Sequence, residues 1–109
     1  MNIWILNQIF DFQETHIFSK LPSLGFNVTA FHDPEMEEWK KKVLEAGGVE
    51  CIPFKFRSRM DFKATKELKR ELEKRPCDLI YATINRPLAT ALRALRGRSD
   101  IKVVGYRGT

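Results

Sequence analysis

The sequence has 109 residues, 43% of them hydrophobic and 30% charged, with a formal net charge of +5. That length buries one core and makes one domain, residues 1–109, the ceiling; a chain this apolar is not excluded from folding by its charge. The basic balance favours an acidic partner, which leaves phosphate groups, anionic lipid headgroups and nucleic acid as classes.

The first element is an apolar run, Asn2 to Leu6, read as a buried strand. It leads through Asn7-Gln8-Ile9-Phe10 to a helix in which Asp11 and Glu14 form a capping-box pair and Ile17, Leu21 and Leu24 align, with Pro22 kinking or shortening it. A second run, Asn27 to Phe31, precedes a helix with Asp33 as cap, Pro34 in the first turn, a stripe of Met36, Trp39 and Val43, and Gly47 at its end. The third run is Val49 to Phe54. The helix after it extends from an Asp61 cap through Ala64, Thr65, Leu68 and Leu72 to a stop at Pro76, with Lys63, Lys66, Lys69, Arg70, Lys74 and Arg75 on its other faces. A fourth run, Asp78 to Ala82, is followed by Asn85-Arg86-Pro87, which opens a helix carrying Leu88, Ala91, Leu92 and Leu95 on one face and Gly97 after it. The fifth run is Ile101 to Tyr106.

Strand-like runs alternating with amphipathic segments predict an α/β fold, a Rossmann-like three-layer sandwich around a parallel sheet of about five strands. The runs are apolar almost continuously, as strands buried on both faces are. Right-handed crossovers give the order 3-2-1-4-5, and the direction of winding reverses between strands one and four. Ligands bind such sheets outside the C-terminal strand ends at that switch point, so Asn7 and Gln8 opposite Thr83, Asn85 and Arg86 are the candidate ligand-binding residues. A phosphate or sugar hydroxyl could be held at the helix opened by Asn85-Arg86-Pro87; an ordinary helix cap is the competing account.

Other patterns have plainer readings. Phe54-Lys55-Phe56-Arg57-Ser58-Arg59 interleaves aromatic and basic residues, as a nucleic-acid or lipid-docking segment does, but it also suits the end of an edge strand protected by charge. The basic third helix is either a membrane-facing patch or a solvated helix, its Glu67, Glu71 and Glu73 favouring solvation. Asp33 sits where dinucleotide folds keep an acid for ribose, yet no G-x-G-x-x-G follows strand one, so no cofactor is expected. His16, His32, Cys51 and Cys77 have no metal-ligand spacing; no metal is expected and the thiols read as reduced and cytosolic. Nothing in the sequence resembles a secretory signal or a bilayer-crossing run.

Three stretches, SKLPSLGFNVTAF, EAGGVECIPFKF and DFKATKELKRELEKRPCDLIYATINRPLATALRAL, together resemble the acceptor-side, N-terminal lobe of family-4 glycosyltransferases, whose two-Rossmann-lobe architecture is called GT-B. The resemblance spans essentially the whole chain and rests on order and spacing. It departs from the family at three places. The loop after strand one has Asn7-Gln8-Ile9-Phe10 in place of a glycine pair, strand four has Tyr81 and Thr83 where histidines are common, and Arg107 stands where a histidine often contacts the transferred sugar. Arg107 offers a permanent charge that could hold a phosphate or an acidic sugar, but it is no proton acceptor near neutral pH.

The resemblance implies the N-terminal lobe of a longer, two-lobed protein in which a second lobe holds most of the nucleotide-sugar donor. It implies transfer to a glycan or lipid-linked acceptor with retention, in polysaccharide biosynthesis. The isolated chain is expected to be inactive, cytoplasmic, and weakly associated with an anionic membrane surface through the basic third helix, Arg57 and Arg59. Two other classes compete: a stand-alone flavodoxin-like or receiver-like regulatory domain and, third, a nucleic-acid-binding module. The first lacks support in its loops, because Asn7-Gln8 and Phe54-Lys55 are neither a receiver's acidic cluster nor a flavodoxin's phosphate loop.

Overall fold

A computed structural model describes residues 1–57 and 62–107. Five parallel strands, β1 (Asn2–Leu6), β2 (Asn27–His32), β3 (Glu50–Pro53), β4 (Leu79–Thr83) and β5 (Lys102–Tyr106), form one sheet in the order β3-β2-β1-β4-β5. Helices α1 (Phe12–Ser19) and α2 (Glu38–Ala46) pack on each other, and so do α3 (Phe62–Lys74) and α4 (Arg86–Ala94). The fold is the expected α/β Rossmann-like sandwich.

Strand β1 shows why three layers form. Its side chains alternate, so Trp4 and Leu6 join one core with Leu68 of α3 and Ala91 of α4, while Ile3 and Ile5 join a second with Phe18 of α1 and Leu44 of α2. Trp4 is 1% exposed, and its indole N–H donates to the Pro76 carbonyl at 3.1 Å, so the buried ring leaves no donor unpaired. The expectation that every strand is buried on both faces fails at the edges: β3 has no fully buried residue, and β5 exposes Val104.

The helices need four corrections. Asp33 and Pro34 do not open α2, which begins at Glu38; Asp33 Oδ1 instead accepts from the Glu35 N–H at 2.9 Å in a turn that follows β2. The buried stripe of α2 is Lys40 and Leu44, so the phase shifts by one residue and Trp39 lies exposed, with the Lys40 ammonium over its ring and on Glu37 at 2.8 Å. In α1 the capping box of Asp11 and Glu14 is present and the helix is shortened at Pro22 as expected, ending at Ser19 with Pro22 in a separate 3-10 turn, Leu21–Leu24; the face it buries is what differs. Thr15 and Phe18 are buried there, with Ile17 and Leu24 exposed. In α4, Thr90 and Ala94 take the inward place expected of Leu92, which is 55% exposed.

Two glycines permit close packing. A Cβ on Gly47, at the end of α2, would overlap the Ser19 carbonyl at the end of α1, and one on Gly105 would press on Leu88 of α4. Phe54 is 6% and Phe56 1% exposed, both within the core beside Phe31. Those two rings are core packing and cannot stack on bases. Asp33 pairs with Lys55 at 3.8 Å. Arg59 and Asp61 lie outside the described residues.

Candidate functional site

Register places the carboxyl ends of three strands side by side: Leu6 is opposite Ala82, and Thr83 is opposite Tyr106. This is the switch point, where helices leave the sheet on opposite faces and an opening remains between them.

The nominated residues divide there. Asn7 is 4% exposed; its amide donates to the Glu14 carboxylate at 3.4–3.5 Å and its Oδ1 accepts from the Ile9 N–H at 3.3 Å. Asn7 therefore shapes the loop and holds Glu14. Gln8 donates to the Phe56 carbonyl at 3.1 Å, joining the ends of β1 and the segment after β3. It lines a cleft of ≈ 320 Å³ with Asp33, Glu35 and Glu37, whose carboxylates repel a phosphate. Thr83 is buried, with its hydroxyl donating to the Leu6 carbonyl at 3.4 Å. Asn85 precedes α4 at φ 88°, ψ −121°, a conformation that costs an L-residue on the order of 1–3 kcal/mol and recurs at functional turns. Arg86 is exposed in the first turn of α4, and the Ile84 N–H ties this turn to the Tyr106 carbonyl at 2.8 Å.

Arg107 alone of the six lines a second cleft, of ≈ 270 Å³, between α1 and the ends of β4 and β5. Its other polar walls are Asp11, Gln13 and Glu14; its floor is aromatic. Tyr81 and Tyr106 stack with centroids 4.2 Å apart and planes 10° apart, and Phe18 meets both edge-on. The Tyr106 hydroxyl is buried near Glu14 and Asn7 but is in hydrogen-bonding geometry with neither. Burial, with the Glu14 negative charge behind it, pushes the phenol well above its ordinary value. The cleft continues into an apolar groove of ≈ 210 Å³, which shares Ile17, Phe18 and Tyr81 and adds Leu21 and Leu79.

Sequence reasoning did not find Glu14, Tyr81 and Tyr106 as site residues. Glu14 read as a capping residue, which it is, and the two tyrosines come from strands whose pairing alone stacks them. The available signal was the capping box itself: it fixes a carboxylate at the mouth of the switch point.

Chemically, the cleft offers an aromatic surface, carboxylates that accept from hydroxyls, and one guanidinium. That combination suits a sugar ring, with its apolar C–H face and its rim of hydroxyl donors. Among the described residues, no group of three or more His, Cys, Asp or Glu side chains could hold a metal ion, and no helix is long and apolar enough to cross a membrane.

No family model and no curated protein matches the sequence. Among solved structures, the chain is similar to a crystal structure of a glycosyltransferase from Rickettsia africae ESF-5, with a TM-score of 0.72 and 14% identity over 95% of this chain. The chain spans 28% of that protein's length. At this identity the likeness is one of fold alone, a Rossmann-like α/β sandwich shared with that glycosyltransferase.

Proposed function

We propose that the chain is the acceptor-side lobe of a two-lobed GT-B glycosyltransferase resembling family 4, which moves a sugar from a nucleotide donor to a glycan or lipid-linked acceptor. A second lobe supplies most of the donor contacts. The observation that carries the reading is the cleft of Asp11, Glu14, Tyr81, Tyr106 and Arg107 at the switch point of a glycosyltransferase-like fold. Its carboxylates disfavour a nucleotide diphosphate and match a polyol, as an acceptor site requires. Among the described residues, Arg107 is the one permanent positive charge on the cleft wall and serves a phosphate or acidic group presented from outside. Asn7 and Thr83 hold the strand ends, and Asn85 and Arg86 flank the approach. The lobe's contribution to rate is to position the acceptor and support charge on the departing diphosphate, which needs both lobes at once.

The test is a turnover and binding assay of this chain with a panel of nucleotide sugars and acceptors. The reading expects no transfer and no measurable affinity for free nucleotide sugars. Transfer above a buffer control by residues 1–109 alone would overturn the half-site assignment. Tight binding of a flavin, or phosphorylation of the chain by a phosphodonor, would favour the regulatory-domain reading.

A further inference from the structure

The chemistry of the tyrosine cleft occurs a second time, on the other side of α1. Where α1 and α2 pack on each other, three rings come to the surface. Phe12 and His16 have centroids 4.5 Å apart, and Trp39 lies 5.9 Å from Phe12 and 6.3 Å from His16. Phe12 is 65% and Trp39 41% exposed, so core packing does not account for either.

The cleft of ≈ 320 Å³ walled by Gln8, Ile9, Asp33 and Glu37 adjoins these rings through Glu37. That residue lines the cleft, and its Oε2 accepts from the Trp39 indole N–H at 3.2 Å, which orients the indole before any ligand arrives. The Lys40 ammonium at 2.8 Å and, after it, the Trp39 indole hold the Glu37 carboxyl below its ordinary value, so it stays an acceptor. Carboxylates on a helix start need no explanation beyond solvation. An indole and a phenyl ring fixed beside them do.

Aromatic faces bordered by hydrogen-bond acceptors suit a sugar ring, and the carboxylates repel an anionic one. The two clefts share this composition and almost touch in sequence: Ile9 walls one and Asp11 the other, with the first turn of α1 between them. That continuity favours one extended ligand over a protein partner confined to the α1–α2 face. A helix with its side chains is about 10–12 Å across, so a ligand that reaches both clefts consists of several sugar rings.

We propose that Trp39 and Phe12, with Gln8 and Glu37, form a second saccharide subsite, and that the acceptor is an extended, uncharged glycan which crosses the first turn of α1 to occupy both clefts. The inference rests on the acceptor-lobe reading of the first cleft and adds the length and charge of that acceptor.

Neutral oligosaccharides of glucose, mannose or N-acetylglucosamine, each two and six rings long, test this by NMR titration. Trp4 is buried, so its indole N–H signal reports folding and that of Trp39 reports the subsite. A six-ring saccharide should shift the Trp39 and Tyr106 signals together and bind about tenfold or more tighter than its two-ring homologue, because two subsites joined on one ligand add avidity. Trp39→Ala should cancel that gain, and Trp39→Tyr should keep most of it. Phe62→Ala, which removes a ring exposed elsewhere, should keep all of it. If circular dichroism finds Trp39→Ala unfolded, Phe12→Ala with Glu37→Gln replaces it. Shifts at Tyr106 with Trp39 unmoved at either length would overturn the second subsite and leave the acceptor-lobe reading standing. Absence of shifts at both with every saccharide would overturn the two together. Equal affinity for two and six rings would overturn the spanning glycan, as would broadening of the Trp39 signal with protein concentration alone, which marks a second copy of the chain on this face.

Discussion

The two faces of the sheet are covered unequally. Over β4 and β5, one face is closed by α3 and α4, with Ile80, Ala82, Ala91 and Ala94 all buried; the other has Leu79, Tyr81 and Tyr106 only half-buried and Val104 exposed. The closed face is basic outside. The open one holds the carboxylates and the tyrosine pair. Stability is therefore expected to reside in the first and ligand contact in the second, and substitutions should separate the two.

The largest effect is expected on the closed face. Trp4→Ala removes a fully buried ring and leaves the Pro76 carbonyl without its donor, at about 3–5 kcal/mol in urea unfolding, much of a small domain's stability. On the open face Tyr81→Ala should cost only about 1–2 kcal/mol, because the ring is already partly in water. Equal losses at the two positions would erase the distinction between the faces.

Gly47→Ala is an intermediate case. The new methyl must displace the Ser19 backbone, so about 1–3 kcal/mol of destabilisation is expected, read as a lowered melting temperature. An unchanged melting temperature would mean that α1 and α2 are not in such close contact.

Tyr106→Phe should have almost no effect on stability, or raise it slightly, because the hydroxyl it removes is buried without a partner. The same variant should weaken sugar binding if that hydroxyl serves the cleft. A large loss of stability would show that Tyr106 is hydrogen-bonded to Glu14 or Asn7 in solution, and the open face would lose its spare polar group.

The smallest effect concerns the thiols. Burial raises Cys51 from about 9 to about 11 and Cys77 to about 12, so neither should react appreciably with iodoacetamide at pH 8 in the folded chain. Since the folded values lie above the unfolded ones, their contribution to stability is complete below about pH 9 and is lost as pH rises through 11 and 12. Strands β3 and β4 are separated by β2 and β1, roughly 14 Å in all at about 4.8 Å per strand, too far for a disulfide. Mass spectrometry of the unreduced monomer should find two free thiols; an intramolecular bond would contradict the strand order.

The sheet was legible in the sequence because β1 and β2 bury both faces, and β4 one face fully and the other by half, so that all three read as unbroken apolar runs, and because one crossover hand leaves few orders open. Helix phase was less legible. Asp33-Pro34 has the chemistry of a helix start, but β2 runs on through His32, and the Asp33 N–H is drawn to the Gln8 carbonyl at 3.2 Å, which delays α2 to Glu38. Long-range pairing overrode a sound local signal. The site was half legible: topology located the opening and the family resemblance nominated Arg107, whereas Glu14, Tyr81 and Tyr106 meet only through α1 docking and β4–β5 register, which no local pattern encodes.

The most direct test of the central claim is to titrate isotope-labelled residues 1–109 with neutral oligosaccharides and, separately, with nucleotide sugars, following amide and tyrosine ring shifts by NMR. The account predicts that an oligosaccharide perturbs Gln13, Glu14, Tyr81, Tyr106 and Arg107, that Tyr106→Phe weakens this without unfolding the chain, and that nucleotide sugars leave these signals in place. Perturbation by a nucleotide sugar at these residues, with none by any saccharide, would contradict the assignment of this lobe to the acceptor side.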